Sequence, residues 1–191
     1  MSALEIIAAA FGALAVYLAA RENIWNWPTA IINVSLYTIV FFQSRLYADM
    51  GLQVVYLVLS IYGWYHWLHG GAQRTELKVS RASPRLLIIL ALLVAAGSYT
   101  LGATLASRTD AAIPYLDSAL TVASLAAQWL MTRKVLENWL LWIALDIVYV
   151  PMFFARGLPA TALLYSVFLV LAVLGFISWR RSYLTTQPAI A

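Results

Sequence analysis

Trp139, Trp142, Asp146, Tyr149 and Phe153 follow one another at spacings of three, four, three and four residues. At about 100° per residue they share one narrow helical face. The run that carries them, "ENWLLWIALDIVYVPMFF" (137–154), is apolar enough to cross a bilayer. A carboxylate near the middle of such a run costs about 3 kcal/mol even on the lenient insertion scales, so it is normally paired or functional. No Lys or Arg lies inside any apolar run to neutralise it. Asp146 is therefore protonated, reached by water, or met by a cation from outside. Two indoles on its own face favour the third case, because Trp is the best cation–π partner. Trp plus carboxylate suits a flat, positively charged heterocycle.

Three further segments present polar or aromatic faces. Residues 50–68 carry Gln53, Tyr56, Ser60, Trp64 and Trp67. Residues 113–132 carry Asp117, Thr121, Ser124 and Gln128. Residues 24–43 carry Asn33 and Tyr37, one turn apart. The expected binding set is Trp139, Trp142, Asp146, Tyr149, Gln128, Asn33, Tyr37, Gln53, Tyr56 and Trp64. Asn33, Gln53 and Gln128 have two readings: partners for a solute's hydroxyls or amide, or hydrogen bonds between helices. Trp25, Trp67 and Trp179 have two as well, a cavity lining or an interfacial belt. Asp117 and Glu5 stand near the starts of their segments, where a helix dipole accounts for them. His66 and His69 are read as interfacial. No His or acidic spacing points to a metal, and no cofactor is expected.

The elements that must position these faces are membrane spans. The 191-residue chain is 63% hydrophobic and 10% charged, against about a quarter charged in soluble domains. Seven spans are expected, at 3–20, 24–43, 50–68, 86–107, 113–132, 137–155 and 159–179. The first lacks a basic leader and carries Glu5, which argues against a cleaved signal peptide. The link "HGGAQRTELKVSRASPR" (69–85) is expected to be a loop, and 180–191 a short tail. The fourth span has no polar stripe and is expected to lie outside the bundle. Arg45, Arg108 and Arg156 fall on one side, whereas the other nine Lys and Arg residues fall opposite. The excess marks the cytoplasmic side, with the N-terminus out and the C-terminus in. These basic residues lie in short links, which does not suggest nucleic acid. The absence of cysteine excludes disulfides and thiolate metal sites.

A shift of 112 residues brings the chain onto itself. "RENIWNW" (21–27) meets "RKVLENW" (133–139), Tyr37 meets Tyr149, and "GWYHW" (63–67) meets "GFISW" (175–179). Sixteen of the 47 positions from 21 to 67 are identical without a gap, where roughly four would match by chance. Glu5 lands on Asp117. Spans 1–3 thus match spans 5–7, with span 4 as a connector. Two parallel triplets follow, related by an axis along the membrane normal, and transporters so built bind substrate at the repeat interface. The expected units are 1–68, 69–112, 113–179 and 180–191. Matching positions build the scaffold. The deviations carry the specificity: Trp142 meets Ala30, Asp146 meets Val34, Gln128 meets Val16, Asn33 meets Leu145 and Gln53 meets Tyr165.

"LYADMGLQVVYLVLSIYGWYHW" (46–67) and "TRKVLENWLLWIALD" (132–146) resemble signature stretches of the PnuC-type bacterial vitamin transporters. "NWP" (26–28) and "LDSALTVASLAAQWLMTRK" (116–134) fit as well. The resemblance covers nearly the whole chain. It implies an all-α membrane fold with two three-helix bundles joined by a linker helix, akin to the SWEET carriers. It implies facilitated diffusion of nicotinamide riboside through the bacterial inner membrane, with intracellular phosphorylation trapping the product. It also implies that Trp139 and Trp142 form the family's Trp-x-x-Trp motif, and that the chain assembles as a homotrimer. Relatives carry thiamine or riboflavin. Nicotinamide riboside and thiamine are both cationic heterocycles and suit Asp146. Riboflavin is neutral, and the phosphate of nicotinamide mononucleotide would be repelled.

Other functions fit less well. An aspartyl pair of Asp117 and Asp146 would need both at one depth, and Asp117 lies near a span end. A retinal Schiff base needs an intramembrane lysine, but Lys78 and Lys134 are both in links. No glycine loop for nucleotide phosphates is present.

Overall fold

In the computed structural model, residues 3–109 and 113–186 are described, apart from the side chain of Ala48. The expected boundary at 112 and the end of the 180–191 tail lie outside them. Seven α-helices form: α1 (Ala3–Ala20), α2 (Asn26–Gln43), α3 (Tyr47–His69), α4 (Pro84–Arg108), α5 (Pro114–Thr132), α6 (Asn138–Ala155) and α7 (Pro159–Thr186). At 1.5 Å per residue even the 18-residue helices span about 27 Å. Four of them, α1, α4, α6 and α7, are both long and apolar enough to cross a membrane by composition alone. The other three, α2, α3 and α5, carry the Asn, Gln, Ser and His side chains that depress their hydropathy.

Local chemistry sets the helix ends. The Ser83 hydroxyl accepts the Leu86 N–H at 3.2 Å, and Pro84 occupies the first helical position of α4, where its missing N–H costs nothing. Pro114 and Pro159 open α5 and α7 in the same way. α6 stops at Gly157, whose φ of +72° lies in the left-handed region that favours a residue without a Cβ. Arg45, its counterpart after α2, adopts φ 60°. The capping bonds recur too: Leu46 N–H to Phe41 O and Leu158 N–H to Phe153 O are both 2.9 Å. α7 runs on to Thr186, past its expected end at 179, so the first part of the expected tail is helix.

Helices adjacent in sequence pack together within 3–69 and within 113–186; α1 meets α7, and α3 meets α5. α4 packs on α5 and buries only Gly102 along its length, consistent with a place outside the bundle. The 69–85 link is pinned rather than loose. Ser80 N–H donates to Lys134 O at 3.0 Å, Leu136 N–H donates to Ser80 O at 2.9 Å, and Glu137 holds both Arg81 Nε and the Ala82 N–H. The Glu137 carboxylate raises the Arg81 pKa, by hydrogen bonding first and charge second.

The largest buried side chains form a column of indoles. Trp27 meets Trp67 edge-on at 5.3 Å, Trp67 leans on Trp179 at 5.6 Å, and Trp179 meets Trp139 edge-on at 5.5 Å. Trp67 Nε1 donates to Met131 O at 3.0 Å, and Trp179 Nε1 donates to Ala19 O at 2.9 Å. Under the 112-residue shift Trp27–Trp67 maps onto Trp139–Trp179, the two indole hydrogen bonds exchange, and Trp67–Trp179 pairs a residue with its own counterpart. Gly63 and Gly175 make the column possible. A Cβ on Gly63 would lie 2.3 Å from the Trp27 ring, and one on Gly175 would lie 2.6 Å from the Trp139 ring. Gly175→Val should therefore overpack the column, at a cost of about 1–3 kcal/mol. The expected outcome is a lower thermal unfolding midpoint in detergent, with a comparable loss for Gly63→Val.

Candidate functional site

At the end of the bundle away from the indole column, a cleft of about 550 Å³ opens between α3, α4, α5 and α6. Its walls include Asp49, Asp117, Thr121, Tyr149, Phe153 and Arg156. Arg156 Nη2 lies 3.5 Å from Asp117 Oδ1. Asp117 thus has an ion-pair partner in addition to the helix dipole expected for it.

Asp146 stands about one turn inward from Tyr149, and is 4% exposed. It takes part in no ion pair or hydrogen bond among the described residues. The interhelical ion pairs and the Arg81–Glu137 pair all lie near helix ends or in links. The Tyr149 hydroxyl lies within electrostatic reach of Asp146 and of the Tyr56 hydroxyl. The Tyr165 hydroxyl lies within reach of Asp146, Tyr149, Tyr56 and Tyr37. Tyrosines from α2, α3 and α6, together with Asp146, therefore gather around the Tyr165 hydroxyl of α7. The aromatic wall continues outward: Tyr149 stacks on Phe153 at 5.7 Å, and Tyr165 meets Tyr149 and Phe153 at 4.9 Å each. Across the α3–α5 seam, the Tyr56 hydroxyl and Ser124 Oγ share a 2.5 Å hydrogen bond.

The expected residues divide by position. Trp142 is half-buried and packs between the indole column and the Leu120–Ala127–Leu145 cluster. Gln53 and Gln128 are half-buried, and no hydrogen bond to either is formed among the described residues, so their amides stay available. Asn33 is committed: its Nδ2 donates to Ala8 O at 2.7 Å, the interhelical bond that was the second of its two readings. Its Oδ1 is left over. Tyr37 stacks on Phe41 at 5.8 Å, as Tyr149 does on Phe153.

Two expectations meet a different placement. Trp139 is 1% exposed, inside the column, although it shares a sequence stripe with Asp146. The physical reason is Gly175, which leaves room for the ring to pack against α7. Trp64 is 39% exposed. The inward direction of α3 is fixed by Tyr56, Ser60, Gly63 and Trp67, and at 100° per residue Trp64 lies about 70° from their mean. Tyr165 was missed, although the repeat held the signal: it is the counterpart of Gln53.

Asp146 has no cationic partner among the described residues, and such a carboxylate, with the Tyr149 and Tyr165 hydroxyls within electrostatic reach, can hold a flat cation that carries hydroxyl groups. Similar proteins are known. The family described as "Nicotinamide mononucleotide transporter" matches residues 2–181. The nicotinamide riboside transporter PnuC of Escherichia coli (strain K12) is 33% identical over 95% of this chain and 87% of its own length. The riboflavin/roseoflavin transporter RibM of Streptomyces davaonensis is 25% identical over 97% of this chain and 89% of its own. A solved structure described as "Crystal structure of the Vitamin B3 transporter PnuC" superposes with a TM-score of 0.76 at 28% identity, over 96% of this chain and 83% of that one.

The two motif tryptophans should separate experimentally. Trp139→Ala removes a fully packed ring and should cost about 3–5 kcal/mol of stability. Trp142→Ala should leave the unfolding midpoint much closer to that of the parent. Thermal unfolding of the two purified variants compares them directly.

Proposed function

The chain belongs to the nicotinamide mononucleotide transporter family, and from that premise we propose that it takes up nicotinamide riboside. The observation that carries the proposal is Asp146, buried, with no ion pair or hydrogen bond among the described residues, and one helical turn from both Trp142 and Tyr149 on α6. Nicotinamide riboside supplies what this environment lacks. Its pyridinium offers a positive charge to the carboxylate and a flat face to the indole. Its ribose and carboxamide offer groups to Gln53, Gln128 and the tyrosines. A mononucleotide would bring a phosphate toward Asp146, and charge argues for the nucleoside as the carried form. Thiamine satisfies the same charge and is the second reading. Riboflavin, carried by one relative, lacks the charge.

We further propose that transport is uniport by alternating access, with phosphorylation in the cytoplasm making uptake directional. The recurring indole, capping and aromatic contacts support an arrangement of two parallel three-helix bundles, α1–α3 and α5–α7, with α4 between them. The nine basic residues of the link side favour a cytoplasmic placement of that face in the inner membrane, with the N-terminus outside. Along α4, Ile88, Leu92, Leu93 and Tyr99 are each more than 60% exposed. That apolar strip suits lipid or neighbouring copies in a homotrimer.

Asp146→Asn is isosteric and should weaken binding of nicotinamide riboside at least tenfold without lowering the unfolding midpoint. Unchanged affinity in calorimetry would remove the role assigned to the carboxylate. Trp142→Ala should cost about 1–2 kcal/mol of binding. Competition by thiamine and by nicotinamide mononucleotide identifies the substrate. Uptake into proteoliposomes should be the same with and without a pH gradient.

A further inference from the structure

The side chain of Lys134 sits at the end of the bundle that carries the indole column and the 69–85 link. Its Nζ lies 2.9 Å from Glu22 Oε2, 3.1 Å from Leu77 O and 4.8 Å above the centre of the Trp67 ring. An ammonium has three N–H donors. Here a carboxylate and a carbonyl take two of its contacts, and an aromatic face takes a third side. Both partners are mostly shielded from solvent, with the Lys134 side chain 11% and the Glu22 side chain 21% exposed.

Glu22 and Lys134 are also counterparts. They differ by the 112-residue shift, and each follows its helix with φ above zero, 56° for Glu22 and 53° for Lys134. The turn bonds around them match as well: Glu22 N–H to Ala19 O at 2.9 Å, and Lys134 N–H to Met131 O at 3.0 Å. Two residues related by a twofold axis can touch only if both lie close to that axis. The backbone there is symmetric, but the side chains have opposite charge. A pair of glutamates or a pair of lysines would repel at the same place.

Above this pair, the indole column fills the space between the two triplets. Three hydrogen bonds join the triplets at this end, Trp67 to Met131, Trp179 to Ala19, and His66 Nδ1 to Thr132 O at 3.0 Å, and the Tyr56–Ser124 bond lies further in along the α3–α5 seam. The opposite end holds the open cleft. We propose that the Glu22–Lys134 pair is the latch of an inner gate, holding the passage shut on the side that bears the 69–85 link. The proposal rests on the transport reading. A solute held near Asp146 must leave past the indole column. Separating the triplets there breaks the axial ion pair, whereas contacts within each triplet survive. Lys134 and Glu22 act on passage rather than on binding, because neither touches the carboxylate site.

The chain has no cysteine, so one introduced thiol is a unique reporter. Ser60→Cys adds a sulfur at a buried position on α3, one turn from Gly63. Vesicles are prepared in both orientations, and the face bearing the 69–85 link is identified by protease cleavage there. A membrane-impermeant maleimide is applied to each face without substrate. The expected result is slow labelling from the link face, accelerated at least tenfold by Glu22→Gln or Lys134→Gln. The charge-exchanged pair Glu22→Lys with Lys134→Glu should restore slow labelling. Equilibrium binding of nicotinamide riboside should stay within about twofold of the parent. Equal labelling rates in the single variants would overturn the latch. Fast labelling in the charge-exchanged pair, with an unchanged unfolding midpoint, would overturn it too. Labelling needs no substrate, so a failure of the nicotinamide riboside assignment shows separately, as absent binding with the gate behaviour intact.

Discussion

An indole N–H buried at membrane depth has no water to bond, and in this fold two of them bond across the bundle. Trp67 donates to the carbonyl of Met131 and Trp179 to that of Ala19. Both acceptors lie in the last turns of α5 and α1, and each also accepts a turn N–H, from Lys134 and Glu22. The indoles add a second bond to each carbonyl and fasten α3 to α5 and α7 to α1. Most of the remaining geometry follows. The edge-on contacts orient Trp27 and Trp139, and the two glycines admit their rings. With Trp139 fixed in the column, the α6 face that begins there is set in rotation. Tyr149 then falls where α3 and α7 bring Tyr56 and Tyr165.

Trp139 and Trp142 show how a shared stripe conceals two roles. Trp139 has a tryptophan counterpart, Trp27, and both rings pack against a glycine. Trp142 has Ala30 as its counterpart, and Asp146 has Val34. The positions that match across the repeat hold the frame together. Tyr165, within reach of Asp146, likewise differs from its counterpart, Gln53. Glu22 and Lys134 differ as well, and they meet at the other end of the bundle. A symmetric backbone thereby holds an asymmetric set of side chains, which an asymmetric solute requires.

The distribution of charge separates the two ends and the middle. Carboxylates near the ends have basic partners: Glu22, Glu137 and Asp117 pair with Lys134, Arg81 and Arg156. Asp146, near the middle of α6, has none among the described residues. Burial without compensation is costly in hydrocarbon, and a cationic solute removes that cost only while it is bound. The same charge disfavours a phosphorylated solute, which is why the nucleoside fits this chain better than the mononucleotide of the family's description.

Composition and periodicity by themselves determined the membrane class, the seven helices to within a few residues, the repeat, and the presence of a carboxylate, Asp146, in the middle of an apolar helix. These are local or statistical properties: apolar runs need lipid, prolines and glycines punctuate helices, and identity at a fixed shift does not depend on packing. Rotation was another matter. A helical stripe defines a face but not the neighbour it meets, so Trp139 and Trp64 were grouped with Asp146, and Tyr165 was left out. Only tertiary packing decided them. The ring of Trp139 fits where Gly175 has no side chain, the α3 face turns Trp64 outward, and α7 delivers Tyr165. The contact between Glu22 and Lys134 belongs to the same class, because two link residues 112 positions apart meet only once the helices they follow are folded around a common axis.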